Sequence, residues 1–267
     1  RLISHVNKLV IARTGLLLAL IFLWETLGRA NTSTSFFISK PTEVVSAFAS
    51  LLFNGNLLYH FLITASEAFI GLSLGTIVGA AIGLFLWYSR FIARTLQPFI
   101  LVAGTIPLVA FAPLFIVWFG IGYQMKAALA FFSTVFPALS QSYRGALSVS
   151  VDYSDVLEAM HASPQSIFRK VIIPGSFDSV LGSMRLNIGF GILGAFLGEF
   201  IASQAGLGYI VLRSSSLYNI PQALAAALSI GILALVFDRA GSFIESKKIE
   251  IIQIISVPRI LWYRNKS

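Results

Sequence analysis

The sequence predicts an all-α membrane protein with six transmembrane helices and cytoplasmic N- and C-termini. Three observations carry that expectation. The first is composition. Of 267 residues, 57% are hydrophobic and 11% charged, where a soluble domain carries about 25% charged residues. Mean hydropathy is +0.84. So little charge cannot cover a water-facing surface, and lipid accepts the excess apolar surface. The second is length. Six apolar stretches approach the roughly 20 residues that span a bilayer core, at about 9–27, 60–87, 96–119, 127–140, 180–201 and 223–237. The third is where Lys and Arg fall.

With the N-terminus inside, the inner segments hold Arg1, Lys8, Arg13, Arg90, Arg94, Arg144, Arg169, Lys170, Arg239, Lys247, Lys248, Arg259, Arg264 and Lys266. The outer segments hold Arg29, Lys40, Lys126 and Arg213. Positive charge is retained on the cytoplasmic side, so both ends are expected inside. The net charge of +8 then reads as topology and not as a nucleic-acid surface.

The elements follow in order. The first span carries Arg13 and Glu25 and is too long for a signal-peptide core, so it reads as a retained helix. Residues 41–55 open on Pro41-Thr42-Glu43, and Val45, Phe48, Leu51 and Leu52 recur at helical spacing. That segment is too short to span and reads as an amphipathic helix at the outer face. The second span places Gly71, Gly75, Gly79 and Gly83 four residues apart on one face, where backbones approach closely in lipid. Pro107 and Pro113 are expected to kink or split the third span, and Pro137 lies in the short fourth.

Residues 141–178 form the only long polar stretch between spans. Within 152–175, Val156, Ala159, Met160, Ser163, Ile167 and Val171 can share a stripe, with Pro164 separating two short helices and Pro174-Gly175 ending the second. This reads either as a docking surface or as a solvated connector, and composition leaves both open. The fifth span is dense in glycine at Gly182, Gly189, Gly191, Gly194 and Gly198. The tail, 249–267, is apolar, Pro-interrupted and too short to span; Arg259, Trp262, Tyr263 and Arg264 suit a membrane interface. The whole reads as one transmembrane domain, 1–267.

Ionisable groups at membrane depth are costly and usually functional. Glu67 and Glu199, near outer span ends, and Arg185, near an inner one, are the pathway candidates, with an interfacial or structural role as the alternative for each. There is no cysteine, which excludes disulfides and thiol chemistry. No phosphate loop of the G-x-x-x-x-G-K-[ST] kind occurs, so ATP is not expected to bind here by that route. His5, His60 and His161 are scattered. No catalytic residue and no metal site is expected.

At residues 155–174, DVLEAMHASPQSIFRKVIIP, the chain resembles the cytoplasmic signature of binding-protein-dependent ABC importer permeases. That pattern is E-A-A, three residues, G, nine residues, I-x-L-P. Anchoring on Ile173-Pro174 places Asp155, Val156 and Leu157 on E-A-A and His161 on the glycine. FFISKPTEV before the outer helix, WFGIG at Trp118–Gly122, and SMRLNIGFGILGAFLGEFIASQAGLGYIV, with Arg185, Gly189, Glu199 and Gly206-Leu207-Gly208 in place, resemble the nitrate, taurine and aliphatic sulfonate branch. Glu67 departs from it, since that branch commonly has Arg there.

The resemblance implies a type I importer permease in the bacterial plasma membrane, itself no enzyme and without a cofactor of its own. It implies that the permease dimerises and receives a small solute from an external binding protein, the branch favouring an anion such as nitrate, taurine, sulfonate or bicarbonate. It also implies docking to cytoplasmic ATPase subunits, which bind ATP and Mg, through Asp155, Val156, Leu157, Glu158, Ala159, Met160, His161, Ala162, Ser163 and Pro174. The alternatives are an ATP-independent secondary transporter or channel, whose polar groups would cluster at mid-membrane, and a structural scaffold.

Overall fold

The computed structural model describes the backbone of residues 2–30, 37–159 and 161–246, and side chains within 11–30, 37–149, 161–243 and 245–246. The tail 249–267 and Met160 lie outside the described residues, as do the side chains of Asp155, Val156, Leu157, Glu158 and Ala159. Among the described residues every regular element is helical. The helices are α1 (Leu2–Ala30), α2 (Pro41–Asn54), α3 (Leu57–Phe85), α4 (Arg90–Thr105), α5 (Ala112–Phe119), α6 (Tyr123–Ala159), α7 (Pro164–Ile167), α8 (Phe177–Ile201), α9 (Leu207–Ser216) and α10 (Ile220–Ser246).

Among the described residues, four stretches are long and apolar enough to cross a membrane: Ile11–Ala30, Leu57–Tyr88, Phe177–Ile201 and Ile220–Phe243. Helices satisfy all backbone groups internally, which is why they serve in lipid. The third apolar stretch of the sequence is two pieces. Helix α4 ends at Thr105, a 3-10 turn runs Leu108–Phe111, and α5 follows, bent by 83°. Pro107 lacks the N–H that would continue α4.

The largest difference from the sequence expectation is α6. A short span and a separate short helix were expected across 127–159, yet one 37-residue helix runs through, with Pro137 inside it. The continuation beyond residue 140 has its own core: Ala146 and Val149 pack against Phe168 and Ile172 of the returning chain. That tertiary contact, not local propensity, extends the helix.

The chain forms two compact units, residues 1–63 with 204–231 and residues 64–203 with 232–267. In the first, Val44, Leu51, Leu57, Leu207, Ile210, Ala225 and Ala226 make the core. Helix α2 enters it through Val44 and Leu51, and Glu25 of α1 accepts from the Thr42 amide at the start of α2. Gly206 precedes α9 at φ +109, a left-handed conformation that favours glycine, and its N–H donates to His60 Nδ1 at 3.0 Å.

The second unit is organised around α6. The glycine repeat of α3 faces it. A Cβ at Gly71 would meet Ala127 O at 2.7 Å, one at Gly75 would meet Phe131 O at 2.6 Å, and one at Gly83 would meet Tyr143 N at 3.0 Å. At Gly79 it would strike the Val135 carbonyl. These neighbours are backbone, so they cannot swing aside. Helix α8 packs antiparallel on another side of α6, with Gly194 beside Ala130, Gly198 beside Lys126 and Gly145 beside Ser179. Gly182 and Gly189 have nothing near them. The glycines of α8 therefore divide between a packed face and an open one.

Candidate functional site

Helix α6 ends at Ala159, and the chain reverses through His161 at φ +51. A left-handed conformation costs a residue with a Cβ roughly 1–2 kcal/mol, and His161 is the residue that the resemblance aligns with the motif glycine. Ala162 is half-buried. Ser163 Oγ accepts from the Ser166 amide at 3.3 Å and Pro164 opens α7, a serine cap followed by proline at the first helical position. The chain then makes a π-helical turn, Phe168–Ile172, before Pro174 and Gly175.

That turn aims Phe168 inward. Its ring lies 4.6 Å from Tyr88, 5.6 Å from Phe85 and 5.9 Å from Trp87, centroid to centroid. Ile172 is fully buried in the same cluster. Offset aromatic pairs at these separations each add about 0.5–1.5 kcal/mol. The reversal is thus fastened to the end of α3 as well as to α6. The single stripe expected from Val156 to Val171 is interrupted by the left-handed residue, so 155–159 belong to α6 and 164–171 to a separate, differently directed piece.

The second constellation is a buried charge cluster. Glu67 of α3 and Glu199 of α8 are both 0% exposed, and Lys126 of α6 is 6% exposed. Lys126 Nζ stands 3.3 Å from Glu67 Oε1, a contact ion pair without an aligned hydrogen bond. Thr64 Oγ1 donates to Glu199 Oε1 at 2.6 Å, and the Glu67 and Glu199 carboxyls are neighbours. Both carboxylates stand near outer span ends in the sequence, and in the structure three helices enclose them. Lys126 was read only as an outer loop charge. Its pairing with Glu67 could not be seen in sequence, although a cation opening a long apolar run was a signal.

Arg185 is not part of this cluster. It lies fourteen residues from Glu199 on α8, roughly 21 Å along the helix, and pairs with Asp238 at 2.8 Å and Glu245 at 3.4 Å on α10. The three pathway candidates therefore separate into a buried pair and a half-exposed network. The spacing Gly71-x-Ser73-x-Gly75 matches a hydrolase nucleophile elbow, but here it is the middle of α3, with no strand-to-helix turn. Among the described residues no group of three metal-ligating side chains occurs. The arrangement offers helix packing, a pinned reversal and charge pairing.

The family model of the binding-protein-dependent transport system inner membrane component matches residues 71–249. The chain belongs to this family. It is a multi-pass component of the inner (plasma) membrane and the permease subunit of an ABC importer, with ATP hydrolysis in a separate subunit. The formylaminopyrimidine transport permease protein ThiX of Halalkalibacterium halodurans is 26% identical over 87% of this chain and 90% of that protein. The putative aliphatic sulfonates transport permease protein SsuC of Bacillus subtilis is 26% identical over 87% of this chain and 85% of its own length. A chain of the MetNI methionine ABC transporter, in an inward facing conformation, superposes with a TM-score of 0.63 over 75% of this permease and 96% of that chain, at 18% identity. The permease therefore has the MetNI fold.

Proposed function

We propose that this permease works as a pair, crosses the membrane six times with both termini cytoplasmic, and carries a small anion delivered by an external binding protein. Two cytoplasmic ATPase subunits drive it, and ATP and Mg are held by them and not by this chain. The permease meets them at the reversal between α6 and α7, from Asp155 to Ser163, with Pro174 closing the segment. The anion reading is supported by the relatives named for aliphatic sulfonates in Bacillus subtilis and Escherichia coli and by the branch resemblance of the α8–α9 motif.

The observation that carries the coupling role is His161. Its left-handed backbone stands where the importer signature has glycine, so the register that assigns Asp155–Leu157 to the docking motif also explains the turn. Closure of the ATPases would push on the end of α6, and Phe168 would pass the push to Phe85, Trp87 and Tyr88 at the end of α3. A docking helix buries an apolar stripe against its partner, and an unpaired carboxylate there costs several kcal/mol. Ala159→Glu is therefore expected to leave the protein inserted at near-normal level, to cut substrate uptake more than tenfold and to reduce co-purification of the ATPase. Uptake and association both unchanged would return the segment to a plain connector. Uptake that needs no ATPase would favour the secondary-transporter reading.

A further inference from the structure

We propose that Glu67 and Glu199 hold one proton between them, so that the cluster they form with Lys126 is a proton-binding clasp joining α3, α6 and α8. The inference goes beyond the importer reading and does not rest on it. Thr64 and Glu67 are three residues apart on one face of α3. Glu199 reaches that face from α8, and its Oε1 accepts from Thr64 Oγ1 at 2.6 Å. Lys126 reaches it from α6, with Nζ 3.3 Å from Glu67 Oε1. This places the two carboxyls side by side. All four residues belong to the second unit.

Charge balance calls for a proton. Two carboxylates and one ammonium leave one negative charge uncompensated. Glu67 and Glu199 are fully buried and Lys126 nearly so, and an uncompensated charge enclosed in this way is far costlier than one in water. Among the described residues the surrounding helices supply no second cation. On α3 the nearest ionisable groups are Tyr59 and His60. His60 lies seven residues from Glu67, about 10 Å of helix rise, and its Nδ1 accepts the Gly206 N–H, a bond that a protonated imidazole could not accept. On α6, Tyr123 is exposed. On α8, Arg185 is fourteen residues away and held by Asp238 and Glu245. Helix α5, whose Phe115 packs on Met125 and Leu129, has no ionisable residue. Helix α10, whose Phe237 meets Phe69, gives Asp238 and Glu245 to Arg185 and leaves Arg239 exposed. A single proton restores neutrality.

Hydrogen bonding points to the same occupant. Neither oxygen of Glu67 has a hydrogen-bond partner among the described residues, and buried polar atoms are ordinarily paired. The group beside it is another carboxyl, which offers no donor while both are ionised. An O–H on either one supplies the donor and removes the repulsion at once, which is why carboxyls in contact share a proton. Each already has one partner of its own, Thr64 for Glu199 and Lys126 for Glu67. Neither is singled out, so the proton lies between them. It ties α8 to α3, as Lys126 ties α6 to α3. When α8 draws away from α3 the O–H···O contact parts, both carboxyls are left ionised and hydrated, and the proton passes to water.

The test is infrared difference spectroscopy of the full chain in lipid nanodiscs at neutral pH, comparing wild type with Glu67→Gln and Glu199→Gln. Wild type should show the C=O band of one protonated carboxyl, shifted by isotope-labelled glutamate and slow to exchange in heavy water. Either glutamine leaves a single carboxylate for Lys126, so the band should be lost in both variants. Melting curves check that the variants are folded. If one is not, the labelled wild type still decides, because no protonated glutamate band at neutral pH overturns the proposal. A band that survives in either variant also overturns it, since the proton then belongs to one residue or lies elsewhere. Wild-type melting should be the same in sodium, potassium and choline chloride. Stabilisation by one alkali cation alone overturns the proposal in favour of a bound metal ion.

Discussion

Helix α8 takes part in two charge clusters, and each brings one basic side chain to two acidic ones. Near its end, Glu199 lies beside Glu67, which pairs with Lys126, and all three have almost no exposed surface. Fourteen residues earlier, Arg185 meets Asp238 and Glu245 with about half its side chain exposed. Their compositions are nearly the same, and their surroundings are not. Solvent can replace any lost partner in the Arg185 cluster. In the Glu67 cluster nothing can, because α3, α6 and α8 close around it and Gly198 brings the backbone against Lys126, where a Cβ would meet Lys126 Cα at 3.0 Å. The difference teaches that an ionisable residue in an apolar stretch is defined by what encloses it.

Three substitutions sharpen that comparison. Lys126→Met is expected to have the largest effect. It leaves two buried carboxylates without a cation, and stripping one partner from a buried pair costs about 3–5 kcal/mol. Thermal unfolding in detergent should show a clear loss of stability, and adding Glu67→Met should restore much of it. A single variant as stable as the wild type would mean that the cluster is hydrated.

Arg185→Gln should cost less than about 1 kcal/mol, the range of exposed ion pairs, and the difference should shrink in molar salt. A loss as large as that of Lys126→Met would mean that this network is enclosed by a second copy or another subunit. Glu43→Gln should have the smallest effect. Lys40 beside Glu43, at 2.9 Å, holds its carboxyl below the usual range. A depressed carboxyl contributes stability above its unfolded pKa and loses it as pH falls through the folded one. The variant should therefore differ from the wild type slightly at neutral pH and not at all in strong acid. Melting curves at several pH values check both the size and the sign.

Much of the turn between α6 and α7 was legible in the sequence, because turn chemistry is local. Ser163-Pro164 and Pro174-Gly175 mark ends that need no distant partner. Phe168 was not legible as an anchor. Its role depends on a π-helical turn and on Phe85, Trp87 and Tyr88, about eighty residues earlier in the chain. The same limit hid Lys126 behind its place in the charge count.

What the sequence determined by itself is the helical, lipid-facing character of the chain and the small-residue face of α3. A bilayer admits helices because they satisfy their own backbone groups, and a four-residue glycine spacing puts those glycines on one side of any helix. What the tertiary structure alone decided is which helix meets that face, how far α6 runs, and which glycines of α8 are packed and which are open. It also decided that Glu67 finds Lys126. Periodicity orders residues around one helix axis, whereas a partner is a relation between two axes, set by close packing over the whole unit.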